Sequence, residues 1–189
     1  QSFVYGNDVT VAYTFENLVS NHTGTAMLSV LDFDAGDKTI ANNGIEIMNG
    51  DENVSENYTV KFNEANVTVK ITPYIIDISL INLENAVYNG KAEYALIQDN
   101  LSYSIPAINE NVEVAISIIG NAVTDSKNIG TRNIVDFSNA LAIIDSDITG
   151  KTGNYQINAV GSYQVVVEKA GLTAEIKKDG IIKQFNKVY

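Results

Sequence analysis

Asp32-Phe33-Asp34-Ala35-Gly36-Asp37 places three carboxylates around a glycine in a short polar stretch. Alternate aspartates on a bending loop can converge their oxygens on a hard cation, and calcium is the ion such a set suits. Asp32, Asp34 and Asp37 are therefore the candidate metal ligands of this chain, and calcium is the one cofactor its residues suggest. The stretch is not an EF-hand loop, because the glycine comes one residue early and no bidentate glutamate follows at the right distance. The competing expectation is a solvated turn at the end of a strand, which draws on the same Asp and Gly residues. Asp145-Ser146-Asp147 is a weaker version of the pattern, and Asp51-Glu52 reads as a plain acidic turn.

Little else in the chain suggests catalysis. His22 is the sole histidine and has neither a nucleophile nor a metal-ligand spacing around it; a general base needs a partner within hydrogen-bond reach, so an exposed histidine is expected. No phosphate-binding glycine loop, dinucleotide fingerprint, nucleophile elbow or zinc-protease motif occurs. With no cysteine, disulfides and thiolate-metal sites are excluded. The expectation is a protein that is not an enzyme. Lysines, asparagines and acids are all present, but no spacing singles out a Lys-Asn cross-link.

Tyrosine is the prominent aromatic, ten residues against six phenylalanines. A ring with a polar tip suits wet interfaces, and Tyr13, Tyr94 and Tyr103 could form a face for sugar or protein. Tyr5, Tyr58, Tyr88 and Tyr155 recur at matching places in a repeat and are expected as core or corner residues whose hydroxyls bond backbone.

The elements that must position these residues are strands. The chain is rich in Val, Ile, Thr and Tyr, with two prolines and no tryptophan, a composition that favours strands. Alternation predicts strands over 9–15, 26–33, 44–48, 57–62, 67–71, 75–83, 92–97, 112–119, 133–137, 141–144, 154–157 and 163–169, then a hairpin at 172–185 turning on Asp179-Gly180. A short helical turn is expected only within 138–144. The central phrase, Glu56 to Pro73, is expected as a hairpin turning at Asn63-Glu64-Ala65-Asn66.

Several phrases return. Ser2-Phe3-Val4-Tyr5-Gly6-Asn7 is echoed by Asn85-Ala86-Val87-Tyr88-Asn89-Gly90 and by Phe185-Asn186-Lys187-Val188-Tyr189; Asp34-Ala35-Gly36 is echoed by Asn128-Ile129-Gly130, and Asn57-Tyr58 by Asn154-Tyr155. Markers that keep their order in two blocks indicate tandem units. The expected division is a first β-repeat at 1–73 lacking its first strand, a second at 74–170, and a segment at 171–189 that opens a further repeat or completes a sheet. Pro73 stands at the junction, where a missing donor ends a ladder.

These phrases, with Asn-Tyr-Thr-Val-Lys-Phe, Val-Lys-Ile-Thr-Pro and the terminal Lys-Val-Tyr, resemble the MBG and YDG repeats of large bacterial surface adhesins. Two departures stand out: Tyr88 is followed by Asn-Gly, not Asp-Gly, and Glu168-Lys169-Ala170-Gly171 replaces an Ile-Thr-Pro exit. The resemblance implies tandem Ig-like β-sandwich domains, β-grasp-like repeats being the alternative. It also implies a non-catalytic module of a cell-surface or secreted adhesin, serving as stalk, spacer or adhesion domain. The rival function is a carbohydrate-binding module of an extracellular enzyme.

Charge argues against one class of partner. Acidic residues outnumber basic ones 23 to 12, for a net charge of −11, and Arg132 is the single arginine. Phosphate binding needs a clustered positive field, so nucleic acid is not an expected partner. No apolar run is long enough to span a bilayer, so no membrane insertion is expected in this segment. The expected partners are neighbouring repeats of the same chain, and a host or surface protein or glycan. The expected location is extracellular, attached to a cell surface or secreted.

Overall fold

A computed structural model of the chain describes residues 1–62 and 69–174. Within them the regular elements are strands and four single 3-10 turns, so the fold is all-β. The chain divides into two units. The first comprises Gln1–Tyr74 with Gly153–Gln156, and the second Ile75–Thr152 with the chain from Ile157 onward.

The first unit holds β1 (Ser2–Val4), β2 (His22–Val30), β3 (Gly36–Lys38), β4 (Ile40–Asn49), β5 (Glu52–Asn53) and β6 (Val69–Thr72). Two sheets result, ordered β1-β6-β3 and β2-β4-β5. β6 lies in the middle of its sheet, parallel to β1 and antiparallel to β3. A strand with partners on both sides can bury one face, and Val69 and Ile71 on β6 are fully enclosed while Lys70 between them is exposed. Each such side chain contributes about 1.5–3 kcal/mol by leaving water. β2 and β4 form a long hairpin in which β4 carries one extra residue near Asn43-Gly44. Such a bulge shifts the inward phase, and both Leu28 and Ser29 on β2 are half-buried just past it. Val30, Ile47 and Val54 add to the core.

From Tyr74 the chain builds β7 (Tyr74–Leu80), β8 (Ala86–Val87), β9 (Glu93–Ala95), β10 (Leu101–Ser102), β11 (Val114–Ile118), β12 (Asn121–Thr124), β13 (Gly130–Asp136), β14 (Leu141–Asp145), β15 (Tyr155–Ala159) and β16 (Tyr163–Glu168). The sheets are β8-β16-β13-β12-β9, β10-β7-β15 and β11-β14. Ile76, Ile78 and Leu80 on β7, Val114 and Ile116 on β11, Ile134 on β13 and Val165 on β16 form the second core.

The repeated phrases occupy repeated positions. Val4 and Thr72 pair in parallel, as do Val87 and Glu168, and the amides of Tyr5 and Tyr88 donate to the carbonyls of Thr72 and Glu168 at 2.8 and 2.9 Å. On the opposite edge Gly36 faces Ile71 and Lys38 faces Val69, just as Gly130 faces Val167 and Arg132 faces Val165. The trio β1-β6-β3 thus has a register-for-register counterpart in β8-β16-β13.

Several expected elements differ. Residues 9–15 form no strand, although Val9, Val11 and Phe15 are half-buried in the expected alternation. Alternation supplies a buried face but not a ladder partner; here the Ala12 amide reaches only the Gln1 side chain, at 3.4 Å. Residues 57–62 are likewise not a strand. Ser55–Asn57 closes a 3-10 turn instead, and Val60 and Phe62 remain exposed. The short polar strand β3, and β12, were not legible as alternating runs. The expected turn at 63–66, the beginning of the strand at 67–71 and the segment from 175 on lie outside the described residues. No helix among the described residues is long and apolar enough to cross a membrane. A helical turn does fall at Ser138–Ala140, but the chain returns to strand at Leu141.

Candidate functional site

The three aspartates of the acidic stretch lie between β2 and β4, where the chain reverses into β3, and Asp32 and Asp34 have separate tasks. The carboxylate of Asp32 accepts the Asp34 amide at 2.9 Å, a local turn in which a side chain replaces a backbone acceptor. The same oxygen forms an ion pair with the Lys38 ammonium. Only 9% of the Lys38 side chain is exposed, so its charge needs a partner close by. The Lys38 hydrogen bond holds the Asp32 carboxyl below the usual aspartate range. Gly36 completes the reversal at φ +129°, a conformation that glycine adopts with little cost.

Asp34 points elsewhere. Its carboxylate accepts from Nδ2 of Asn154 at 2.7 Å, while Oδ1 of Asn154 accepts the Ala35 amide at 2.6 Å. Both ends of one side-chain amide are therefore held by two consecutive residues. Asn154 is 3% exposed and ends the 3-10 turn Thr152–Asn154. The next residue, Tyr155, is also buried and meets Tyr5 edge-on at 5.4 Å and Tyr74 at 6.2 Å. All of these contacts belong to the first unit, which Gly153–Gln156 completes from far downstream in the chain.

Of the two readings open for Asp32, Asp34 and Asp37, calcium ligands or a turn after a strand, the local turn at Asp32 is present. Their oxygens do not converge, because Asp32 serves Lys38 and its own turn, Asp34 serves Asn154, and Asp37 is exposed on β3. Among the described residues no group of three or more His, Cys, Asp or Glu side chains could hold a metal ion. What the loop can do chemically is recognise an amide: a carboxylate and a backbone N–H, side by side, match the NH2 and C=O of an asparagine.

The second unit has the same loop. Ser126 Oγ accepts the Asn128 amide at 3.2 Å, Gly130 turns at φ +105°, and Arg132 folds back to donate from Nε to the Asn128 carbonyl at 2.8 Å and from Nη2 to that of Ile129. Ser126, Asn128, Ile129, Gly130 and Arg132 thus take the places of Asp32, Asp34, Ala35, Gly36 and Lys38. One difference matters. Asp34, Ala35 and Gly36 are half-buried, whereas Asn128, Ile129 and Gly130 are exposed.

No family model, curated protein or solved structure matches this chain.

The other candidate residues form no reaction centre together. His22 is half-buried, not exposed as expected, and its Nδ1 lies 2.6 Å from the Tyr58 hydroxyl. That link was not visible in sequence, because the two residues lie far apart in the chain and neither carries a motif. Tyr5 and Tyr155 are buried as expected of core tyrosines, while Tyr58 and Tyr88 are half-buried. Of the trio expected as a binding face, Tyr94 is buried with its hydroxyl accepting the Glu84 amide, Tyr103 accepts from Gln98, and Tyr13 stacks edge-on against Phe15. Asp145 accepts the amides of Gly150 and Lys151, which hold its carboxyl below the usual range. A hollow of about 550 Å³ in the second unit has Asp99 and Tyr103 as its only ionisable lining groups.

Proposed function

We propose that this chain is a tandem pair of non-catalytic Ig-like β-sandwich modules from a bacterial cell-surface or secreted adhesin, acting as stalk or spacer. The observation that carries this reading is the doubled register: a three-strand motif, its Gly-turned loop and its basic anchor recur at matching positions. Duplication adds length and neighbour-to-neighbour packing without adding chemistry, which suits a structure that holds something at a distance. A second observation supports the Ig-like form. Tyr163, at the start of β16, donates its hydroxyl to the Val160 carbonyl at 2.9 Å, in the manner of the tyrosine corner of such sandwiches. The polar side chains of the candidate loop are used on one another, as in a structural module. Burial of Tyr94 removes one ring from the trio on which a carbohydrate-binding face would depend.

The test is mechanical. Pulling the chain by its ends is expected to give two discrete unfolding events, each releasing on the order of 250–350 Å at about 3.5 Å per residue. A single event, or featureless extension, would overturn the modular reading. Retention of the chain on an insoluble polysaccharide would favour the carbohydrate-binding rival.

A further inference from the structure

We infer that the Asn128-Ile129-Gly130 loop of the second unit is a docking site for the Asn-Tyr corner of a further module of this kind. The inference rests on the modular reading. The first unit displays the occupied form of the site: Asp34 and the Ala35 amide grip the amide of Asn154, and Tyr5 receives the ring of Tyr155. The second unit rebuilds the same receptor. Asn128 replaces Asp34 and keeps a side-chain acceptor, Ile129 replaces Ala35 and keeps the N–H, and Tyr88 replaces Tyr5 in the same backbone bond.

The burial pattern shows what is missing. Tyr5 is 4% exposed beneath Tyr155, but Tyr88 is only half-buried, and Ile129 is 43% exposed beside Asn128. The occupant must carry an asparagine that presents its amide at the end of a tight turn, followed by a tyrosine. A second copy of this chain offers one. Asn57 ends the 3-10 turn Ser55–Asn57, as Asn154 ends Thr152–Asn154; it is exposed, and Tyr58 follows it. A loop on one molecule and a corner on another form a heterologous, head-to-tail contact, which links copies into a ring or an open filament according to the rotation between them.

A dilute isotope-labelled chain titrated with unlabelled chain to millimolar concentration tests this by amide chemical shifts. Binding is expected to move the signals of Ile129, the Asn128 side chain and Tyr88. Asn57→Ala in the added copy should weaken it at least about tenfold, since two hydrogen bonds are lost. Asn128→Asp in the labelled chain should strengthen it several-fold by restoring the charged acceptor found at Asp34. Absence of shifts at millimolar concentration, or shifts indifferent to Asn57→Ala, would overturn the inference. Two unfolding events on pulling with no docking would overturn this inference alone; a single event would remove the modular reading beneath it.

Discussion

Asn154 stands 120 residues from Asp34 in the chain and donates to its carboxylate across 2.7 Å. With the Ala35 amide on its other end, this one side chain joins the loop before β3 to the turn before β15. Asn154→Ala removes the two hydrogen bonds that its side-chain amide makes to the Asp34 carboxylate and the Ala35 N–H, and is expected to cost about 1–3 kcal/mol in urea unfolding. Asn154→Asp keeps the shape but sets two carboxylates face to face. Its deficit should be largest near neutral pH and shrink on acidification, as one of the pair takes up a proton.

Acid sensitivity of the unaltered protein has the opposite sign. Asp32, Asp136 and Asp145 all titrate below the ordinary aspartate value, held there chiefly by Lys38, by Ser138 and by the Gly150 amide respectively. A depressed carboxyl binds its proton less readily folded than unfolded. Its stabilisation is complete above the ordinary aspartate range and is lost as pH falls through the depressed values. Urea midpoints should therefore be flat from neutral pH down to that range and then decline. Ser138→Ala should make the decline shallower; an unchanged slope would count against the assignment for Asp136.

Gly36 and Gly130 offer a paired test of the repeat. Both adopt positive φ at matching positions, +129° and +105°. A methyl group at Gly36 would meet nothing within 4 Å, so the cost of Gly36→Ala is backbone strain alone, about 1–3 kcal/mol. Gly130→Ala is expected to cost a similar amount, its methyl group lying 3.4 Å from the movable end of Arg132. Markedly unequal losses in thermal unfolding would argue that the two loops are not equivalent.

Gly24 reports on the segment expected as a strand over 9–15. A methyl group there would fall 2.6 Å from the ring of Phe15, so Gly24→Ala should destabilise by about 1–3 kcal/mol through overpacking. Phe15→Leu should recover part of that loss when combined with it. Additive losses would show that the ring does not lie against β2 in solution.

The contrast between this segment and β6 shows where sequence ran out. Val9, Val11, Tyr13 and Phe15 alternate as well as Val69 and Ile71 do, yet only the latter pair lies on a strand with partners on both sides. The repeat was legible because Gly36 and Gly130, and Tyr5 and Tyr88, are locally demanding residues: a positive φ needs glycine, and a turn after an aromatic-ended strand leaves a recognisable phrase. The acidic stretch was legible as a place but not as a task. Three carboxylates near a glycine suit a cation or a turn equally well until the partners of each oxygen are known.

From sequence alone came the all-β class, the two-block repeat and the absence of catalytic motifs, because these depend on residue type, short-range spacing and order along the chain. Tertiary structure decided that Asp34 meets Asn154, that His22 meets Tyr58, and that four downstream residues complete the first unit. The physical reason is the same in each case. A hydrogen-bond donor or an edge of a ring can be satisfied by any suitable group the fold brings near, and only packing determines which one arrives.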